Sequence, residues 1–226
     1  MIDFAHQRLT MVETQLRPNQ VTDTRLLAAM STLPRERFVP ERVRPFAYSD
    51  DELEVFPAIG AAPARYLLAP MVLARLVQLA AVEPGDTVLD VGCATGYATA
   101  VLARLGRQVV AVEPEPELAE MARANLRNLD FANVEIVEGE LAGGCPERGP
   151  YDVILLNGSV PREPRSLFGQ LSEGGRLAVI LSRPGPGTQG RATLFVKVEG
   201  EVSGLPHFDA GAAPLPGFLP ESSFSF

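Results

Sequence analysis

Residues 87–113 read TVLDVGCATGYATAVLARLGRQVVAVE, and the fold follows from this stretch. Thr87-Val88-Leu89-Asp90-Val91 is a short apolar, β-branched run that carries an acid near its end. A loop of small residues follows, Gly92-Cys93-Ala94-Thr95-Gly96, and Tyr97 to Leu105 has the apolar spacing of a helix. Val109-Val110-Ala111-Val112-Glu113 repeats the strand pattern and again ends in an acid. Strand, loop, helix, strand is the repeating unit of a parallel sheet.

The pattern continues on both sides. Downstream, a helix is predicted from Glu117 to Asn128, then strands at Val134–Val137, Tyr151–Leu156 and, after a Gly174-Gly175 turn, Arg176–Ser182. Ala192 to Val198, Glu199-Gly200 and Glu201-Val202-Ser203 have the form of a hairpin. Residues 204–226 are rich in Pro, Gly and Ser. Upstream, Met71 to Ala81 is a predicted helix, and Pro84-Gly85-Asp86 turns into the first strand. Residues 1–45 read as helical, broken at Arg17-Pro18-Asn19, with Thr22-Asp23 as an N-cap. Residues 45–64, with Pro45, Pro57, Pro63 and the run Asp50-Asp51-Glu52, are a loop-rich connector. The expected architecture is α/β: a Rossmann-like, doubly wound, mostly parallel seven-stranded sheet with an N-terminal helical extension and a C-terminal hairpin. Its parts are residues 1–78 as a substrate-side extension, 79–183 as the cofactor-binding core and 184–226 as hairpin and tail, within one structural domain.

Composition narrows the function. The 226 residues are 46% hydrophobic and 21% charged, which is globular. A net charge of −8 disfavours a polyphosphate-binding module, so no nucleic-acid partner is expected. Two cysteines, Cys93 and Cys145, make no disulfide framework. With His6 and His207 far apart, no spacing suggests a metal site. Asp3, His6, Arg8, Glu13 and Arg17 leave no apolar signal core in residues 1–20, and Pro70, Arg75 and Gln78 interrupt the most apolar stretch. A cytoplasmic protein without membrane attachment is expected.

In open α/β sheets ligands bind at the carboxyl ends of the strands near the point where strand order reverses. Gly92, Ala94 and Gly96 let a ligand approach backbone N–H groups there. Glu113 is placed to accept hydrogen bonds from ribose hydroxyls. The spacing Asp90-x-Gly92-x-Ala94-x-Gly96 differs from the dinucleotide fingerprint G-x-G-x-x-G. An acid just before the loop repels a pyrophosphate but suits a cation, and S-adenosyl-L-methionine, with its sulfonium and ammonium, meets that demand. Cys93 reads as a small buried filler and Cys145 as an incidental loop thiol. Asn157, in Leu156-Asn157-Gly158-Ser159, reads as a loop hydrogen-bonder on the cofactor side.

The resemblance goes further. Residues 87–105 resemble the first motif of class I S-adenosylmethionine-dependent methyltransferases, and more narrowly that of the protein-L-isoaspartate O-methyltransferases. Arg35-Glu36-Arg37-Phe38-Val39-Pro40, Ala47-Tyr48-Ser49-Asp50, Asn133-Val134, Gly149-Pro150-Tyr151-Asp152 and Gln170-Leu171-x-x-Gly174-Gly175-Arg176-Leu177 match that family in order, over about residues 8 to 183. The resemblance implies that Asp90, Gly92, Cys93, Ala94 and Gly96 surround the amino-acid end of the cofactor, and that Glu113 binds its ribose. It places Pro114 beside the adenine and Glu140 near the adenine amino group; Gly139-Glu140-Leu141 stands where the family has Gly-Asp-Gly. The family's Thr-Ile-Ser-Gln-Pro segment, whose hydroxyls help bind the substrate carboxylate, is here Tyr66-Leu67-Leu68-Ala69-Pro70. Tyr66 and Leu68 therefore occupy the catalytic-side positions, and only the Tyr66 phenol remains as a donor.

The leading reading is carboxyl O-methylation of L-isoaspartyl residues in damaged proteins, with S-adenosyl-L-homocysteine as product. A carboxylate is already ionised at neutral pH, so the missing histidine base is no obstacle. Two others stay open at this point: a methyltransferase on a different acid or small molecule, and a cofactor-binding protein with little catalysis.

Overall fold

The computed structural model describes residues 2–60, 63–183 and 189–218. The sheet is built from β3 (Thr87–Val91), β4 (Gln108–Glu113), β5 (Val134–Glu138), β6 (Tyr151–Val160), β7 (Leu171–Leu181), β8 (Gly190–Val198) and β9 (Glu201–Ala210). Their spatial order is β5-β4-β3-β6-β7-β8-β9, parallel through β7 and antiparallel beyond. The chain starts in the middle at β3, moves outward to β5 and returns to β6 on the other side of β3. That reversal places a switch point between β3 and β6.

Alternation along the strands sorts side chains between two faces. Val88, Val109, Val153, Leu155 and Ala178 pack into one apolar cluster; Leu89, Val110, Ile154, Leu156 and Leu177 pack into another. Both sides are apolar, as a covered parallel sheet requires. The first cluster takes residues from all five longer helices: α1 (Phe4–Met11), α2 (Thr24–Thr32), α3 (Pro70–Ala80), α4 (Tyr97–Leu105) and α5 (Pro116–Arg127). The second is closed by short elements: 3₁₀ turns at Leu141–Gly143 and Pro146–Arg148, the four-residue α6 (Arg165–Phe168), and Leu215 of the tail.

The helix ends follow their sequence signals. The Asp23 side chain accepts from the N–H groups of Arg25 and Leu26 at 2.8 and 3.2 Å, the N-cap read at Thr22-Asp23. Pro70 opens α3, and Ala81 closes it with φ 49°. The break at Arg17-Pro18-Asn19 is a 3₁₀ turn after a π-turn at Val12–Leu16.

Three expectations need correction. The connector 45–64 is more ordered than a loop: β1 (Leu53–Phe56) pairs antiparallel with β2 (Arg65–Leu67), because Leu53, Val55 and Phe56 bury apolar side chains. Gly174-Gly175 does not precede the fifth strand but lies inside β7, where the register with β6 shifts. The second hairpin strand runs on to Ala210 instead of ending at Ser203. The end of the tail, residues 219–226, lies outside the described residues.

Candidate active site

The carboxyl ends of β3, β4 and β6 meet over the loop at 92–96. The loop turns sharply: Gly92 has φ 80° and Gly96 φ 93°, in the region that favours glycine, and Ala94 is held at φ 49°. Gly92 N–H donates to Val112 at 2.9 Å, the Thr95 hydroxyl donates to Phe38 at 2.6 Å, and Asn125 donates to Thr95 at 3.0 Å. A side chain on Gly96 would meet Ala122 and Leu126 of α5 at 3.3 Å, so glycine there serves helix packing.

The two acids stand at the ends of the strands on either side of this loop's turn, and both are fully buried. Asp90 accepts from the Thr99 hydroxyl at 2.6 Å and from the Asn157 side-chain amide. The register between β6 and β7 shifts between Leu155 and Ser159, next to Asn157. The Asp90 carboxyl is pushed up to about 7, by burial first and to a lesser extent by the charge of Glu113, against two hydrogen bonds that oppose the rise. Glu113 ends β4 and accepts from Ala94 N–H at 2.8 Å and Glu115 N–H at 3.3 Å. Its third partner is Arg65, from β2, which forms an ion pair with it beneath the surface. Cys93 is a free, buried thiol whose ionisation burial pushes well up, consistent with a filler. Cys145 is buried too; its N–H is held by Gln170 at 3.0 Å.

Two segments cover the loop. A Cβ on Gly92 would stand 2.8 Å from Leu215 Cδ2 and 3.2 Å from Arg65 Nη2. Leu215 is set by the tail, which lies along the end of β6: Ser159 N–H donates to Ala213 and Leu215 N–H to Ser159, both at 2.9 Å. Glu52, in the connector, accepts from Ala213 N–H at 3.0 and 3.1 Å, tying connector to tail. The space left beneath is two cavities of about 10 Å3 each, room for about one water apiece. The first is lined by Tyr66, Leu68, Arg35, Tyr97, Asn157 and the glycine loop, and the second by Arg65, Tyr66, Glu52, Asn157 and the tail. Arg35 is fully buried; its Nε and Nη2 donate to the carbonyls of Ala47 and Leu68 at 2.8 Å, and its guanidinium lies over the Tyr97 ring at 4.7 Å.

The structure thus brings together Asp90, Gly92, Cys93, Ala94, Gly96, Glu113 and Asn157, with Tyr66 and Leu68 on the facing wall. Pro114 and Glu140 are exposed. Glu140 immediately precedes the 3₁₀ turn at Leu141–Gly143, whose Leu141 side chain is buried. Sequence reading gave no site role to Arg65, Leu215 or Arg35, the last of which it quoted only within a matching segment. The available signal for Arg65 was its isolation: it is the one lysine or arginine between Arg44 and Arg75. The chemistry of the donors fits S-adenosylmethionine: an acid for a cation, an acid for a diol and a glycine cradle that a Cβ would fill.

The model of the protein-L-isoaspartate(D-aspartate) O-methyltransferase family matches residues 6–204. The chain belongs to that family. Its cofactor is S-adenosylmethionine, and its reaction is methyl transfer to isoaspartyl carboxylates. The chain is similar to the protein-L-isoaspartate O-methyltransferase of Koribacter versatilis, with 40% identity over 80% of this chain and 79% of that one. Similarity to the enzyme of Methanoculleus marisnigri is 34% over 93% and 92%. A solved protein-L-isoaspartate O-methyltransferase superposes with TM-score 0.78 at 28% identity, covering 94% of this chain and 67% of that chain. A Plasmodium falciparum structure described by the same activity, in complex with S-adenosyl-L-homocysteine, shares the fold with TM-score 0.75 at 19% identity.

Proposed function

We infer that Asp90, Glu113 and the 92–96 loop are the cofactor site of this methyltransferase, and that Tyr66 and Leu68 stand on its acceptor side. The observation that carries the reading is the pair of buried acids at the ends of adjacent strands, Glu113 bonded to the glycine loop at Ala94 and Asp90 to Asn157, which lines the space beside that loop. Asp90, steadied by Asn157, would hold the cofactor's ammonium, and Glu113 its ribose hydroxyls. Gly92, Cys93 and Ala94 would present backbone to the amino-acid end. Pro114 and Glu140 would flank the adenine from the rim. When bound, S-adenosylmethionine supplies an electrophilic methyl on a sulfonium.

The chain's own residues then have a modest task. An isoaspartyl carboxylate is ionised at neutral pH, with a pKa of about 4, so no residue has to remove a proton. What the protein contributes is alignment and exclusion of water. Tyr66 brings a phenol to the acceptor wall, and Arg35 fixes the backbone of Leu68 through its carbonyl. The substrates proposed are isoaspartyl residues in damaged proteins, which makes this a repair enzyme. We place it in the cytoplasm; no helix among the described residues is long and apolar enough to cross a membrane.

Methyl transfer from labelled S-adenosylmethionine to an isoaspartyl peptide, with the aspartyl isomer as control, tests the reading. Transfer confined to the isoaspartyl isomer is the expected result. Cofactor binding without transfer would overturn the acceptor assignment. Leu68→Ser, which restores a hydroxyl to the acceptor wall, should raise turnover.

A further inference from the structure

With Arg65 on it, the Glu113 carboxylate cannot take both hydroxyls of a ribose, because three donors already fill most of its roughly four acceptor sites. One of its oxygens accepts from Ala94 N–H, and the other from Glu115 N–H and Arg65. The Arg65 guanidinium also stands beside Gly92, where the cofactor must lie. An adenosyl ligand needs a few hundred Å3, against cavities of about 10 Å3. Arg65 must therefore leave Glu113 before the site can fill. It is tethered to β2, whose next residue, Tyr66, lines the acceptor wall. A guanidinium leaving a buried carboxylate needs another anion, since an unpaired buried charge is strongly unfavourable. Of the side chains lining the two cavities, Arg35 and Arg65 are the cations. Arg35 is committed to two carbonyls, whereas Arg65 is held by a single carboxylate. The reaction brings its own anion, the isoaspartyl acceptor.

We propose that Arg65 changes partners during the reaction: it rests on Glu113 in the empty enzyme, gives way to the cofactor's ribose, and then binds the acceptor's carboxylate. This rests on the reading of Glu113 as the ribose ligand. The fork of an arginine suits a carboxylate in both positions. Binding becomes ordered, because the acceptor's cation is released only once the cofactor is seated. A site open in about a tenth of the molecules binds about tenfold more weakly than the open form alone.

The test compares wild type, Arg65→Gln and Arg65→Lys. Calorimetry with S-adenosyl-L-homocysteine alone reads the first exchange, and initial rates on an isoaspartyl peptide read the second. In Arg65→Gln the Kd for S-adenosyl-L-homocysteine should fall about tenfold. The acceptor KM should rise about tenfold or more, with kcat changed much less. Arg65→Lys should recover part of the KM and keep part of the tighter Kd, and it carries the test if the glutamine variant does not fold. An unchanged or weakened Kd overturns the proposal. So does a tightened Kd with an unchanged acceptor KM, which would leave Arg65 a mere occupant. A wild-type enzyme that transfers nothing to the peptide overturns the functional reading and the acceptor half, while a tightened Kd in Arg65→Gln still upholds the Glu113 half.

Discussion

Two buried arginines face the same glycine loop, and they do different work. Arg35 comes from the N-terminal extension and is bound to two backbone carbonyls and an aromatic face. Among the described residues no carboxylate pairs with it directly; Asp50 acts on it only through its charge. Arg65 comes from a short strand of the connector and is bound to the Glu113 carboxylate at the end of a sheet strand. Carbonyls of the chain are permanent partners. A carboxylate at a ligand site is a partner that a ligand can take over. Burial alone therefore does not tell a structural cation from a functional one; the identity of its partner does.

Replacing Arg35 should break the comparison most severely. Arg35→Met leaves the carbonyls of Ala47 and Leu68 without donors, at about 1–3 kcal/mol each. A loss of about 3 kcal/mol lowers Tm by about 6–12 °C in a chain of this size, measured by thermal unfolding. Arg65→Gln leaves the Glu113 carboxylate buried without its cation, a loss of the same order that two backbone N–H groups offset only in part. The two variants separate on adding S-adenosyl-L-homocysteine, which should raise the Tm of Arg65→Gln more than that of Arg35→Met; equal gains would mean that both arginines are structural.

Glu113→Gln removes the charge for which Arg65 and the ribose compete. Binding of S-adenosyl-L-homocysteine should weaken by about tenfold to a hundredfold, the worth of hydrogen bonds to a charged group. Combining it with Arg65→Gln should be strongly non-additive in calorimetry: the tightening that Arg65→Gln gives alone should vanish once Glu113 is glutamine, since the two side chains share one interaction.

The Asp90 side of the site sharpens the contrast through pH. Its carboxyl is pushed up to about 7 by burial, above the ordinary value near 4. The folded protein therefore holds an extra proton between about pH 4 and pH 7, so this group's contribution to stability is full below about pH 4 and lost as pH rises through about 7. Cofactor binding runs the other way, because a cationic ammonium needs the ionised acid. Affinity should drop about tenfold from pH 8 to pH 6, with proton release at the lower pH, read by calorimetry in buffers of different ionisation heat. A flat profile would exclude Asp90 as the ammonium's partner.

The smallest effect is expected from Thr99→Val, which keeps the shape and deletes the hydroxyl donated to Asp90 at 2.6 Å. The midpoint of that pH profile should move up by about one unit, and Arg65 and Glu113 should be untouched.

Much of this was legible in the chain itself. Asp90, Gly92, Gly96 and Glu113 lie within one strand-loop-helix-strand unit, so local pattern alone brings them together. Tyr97–Leu105 was readable as a helix because its apolar spacing and its two flanking loops agree. The parts that were missed depend on distant segments. Arg65 is 48 positions from Glu113, and its ion pair exists because β1 and β2 pair and turn toward the sheet. Leu215 covers Gly92 because the tail runs back along the end of β6.

The amino-acid sequence by itself determined the parallel sheet, the glycine loop and the two acids, because periodicity, turn chemistry and strand-end position are local properties. Tertiary structure alone decided what occupies that site. Which side chain a carboxylate pairs with, and how much room is left over a glycine, depends on how remote segments pack, and no short-range pattern encodes that.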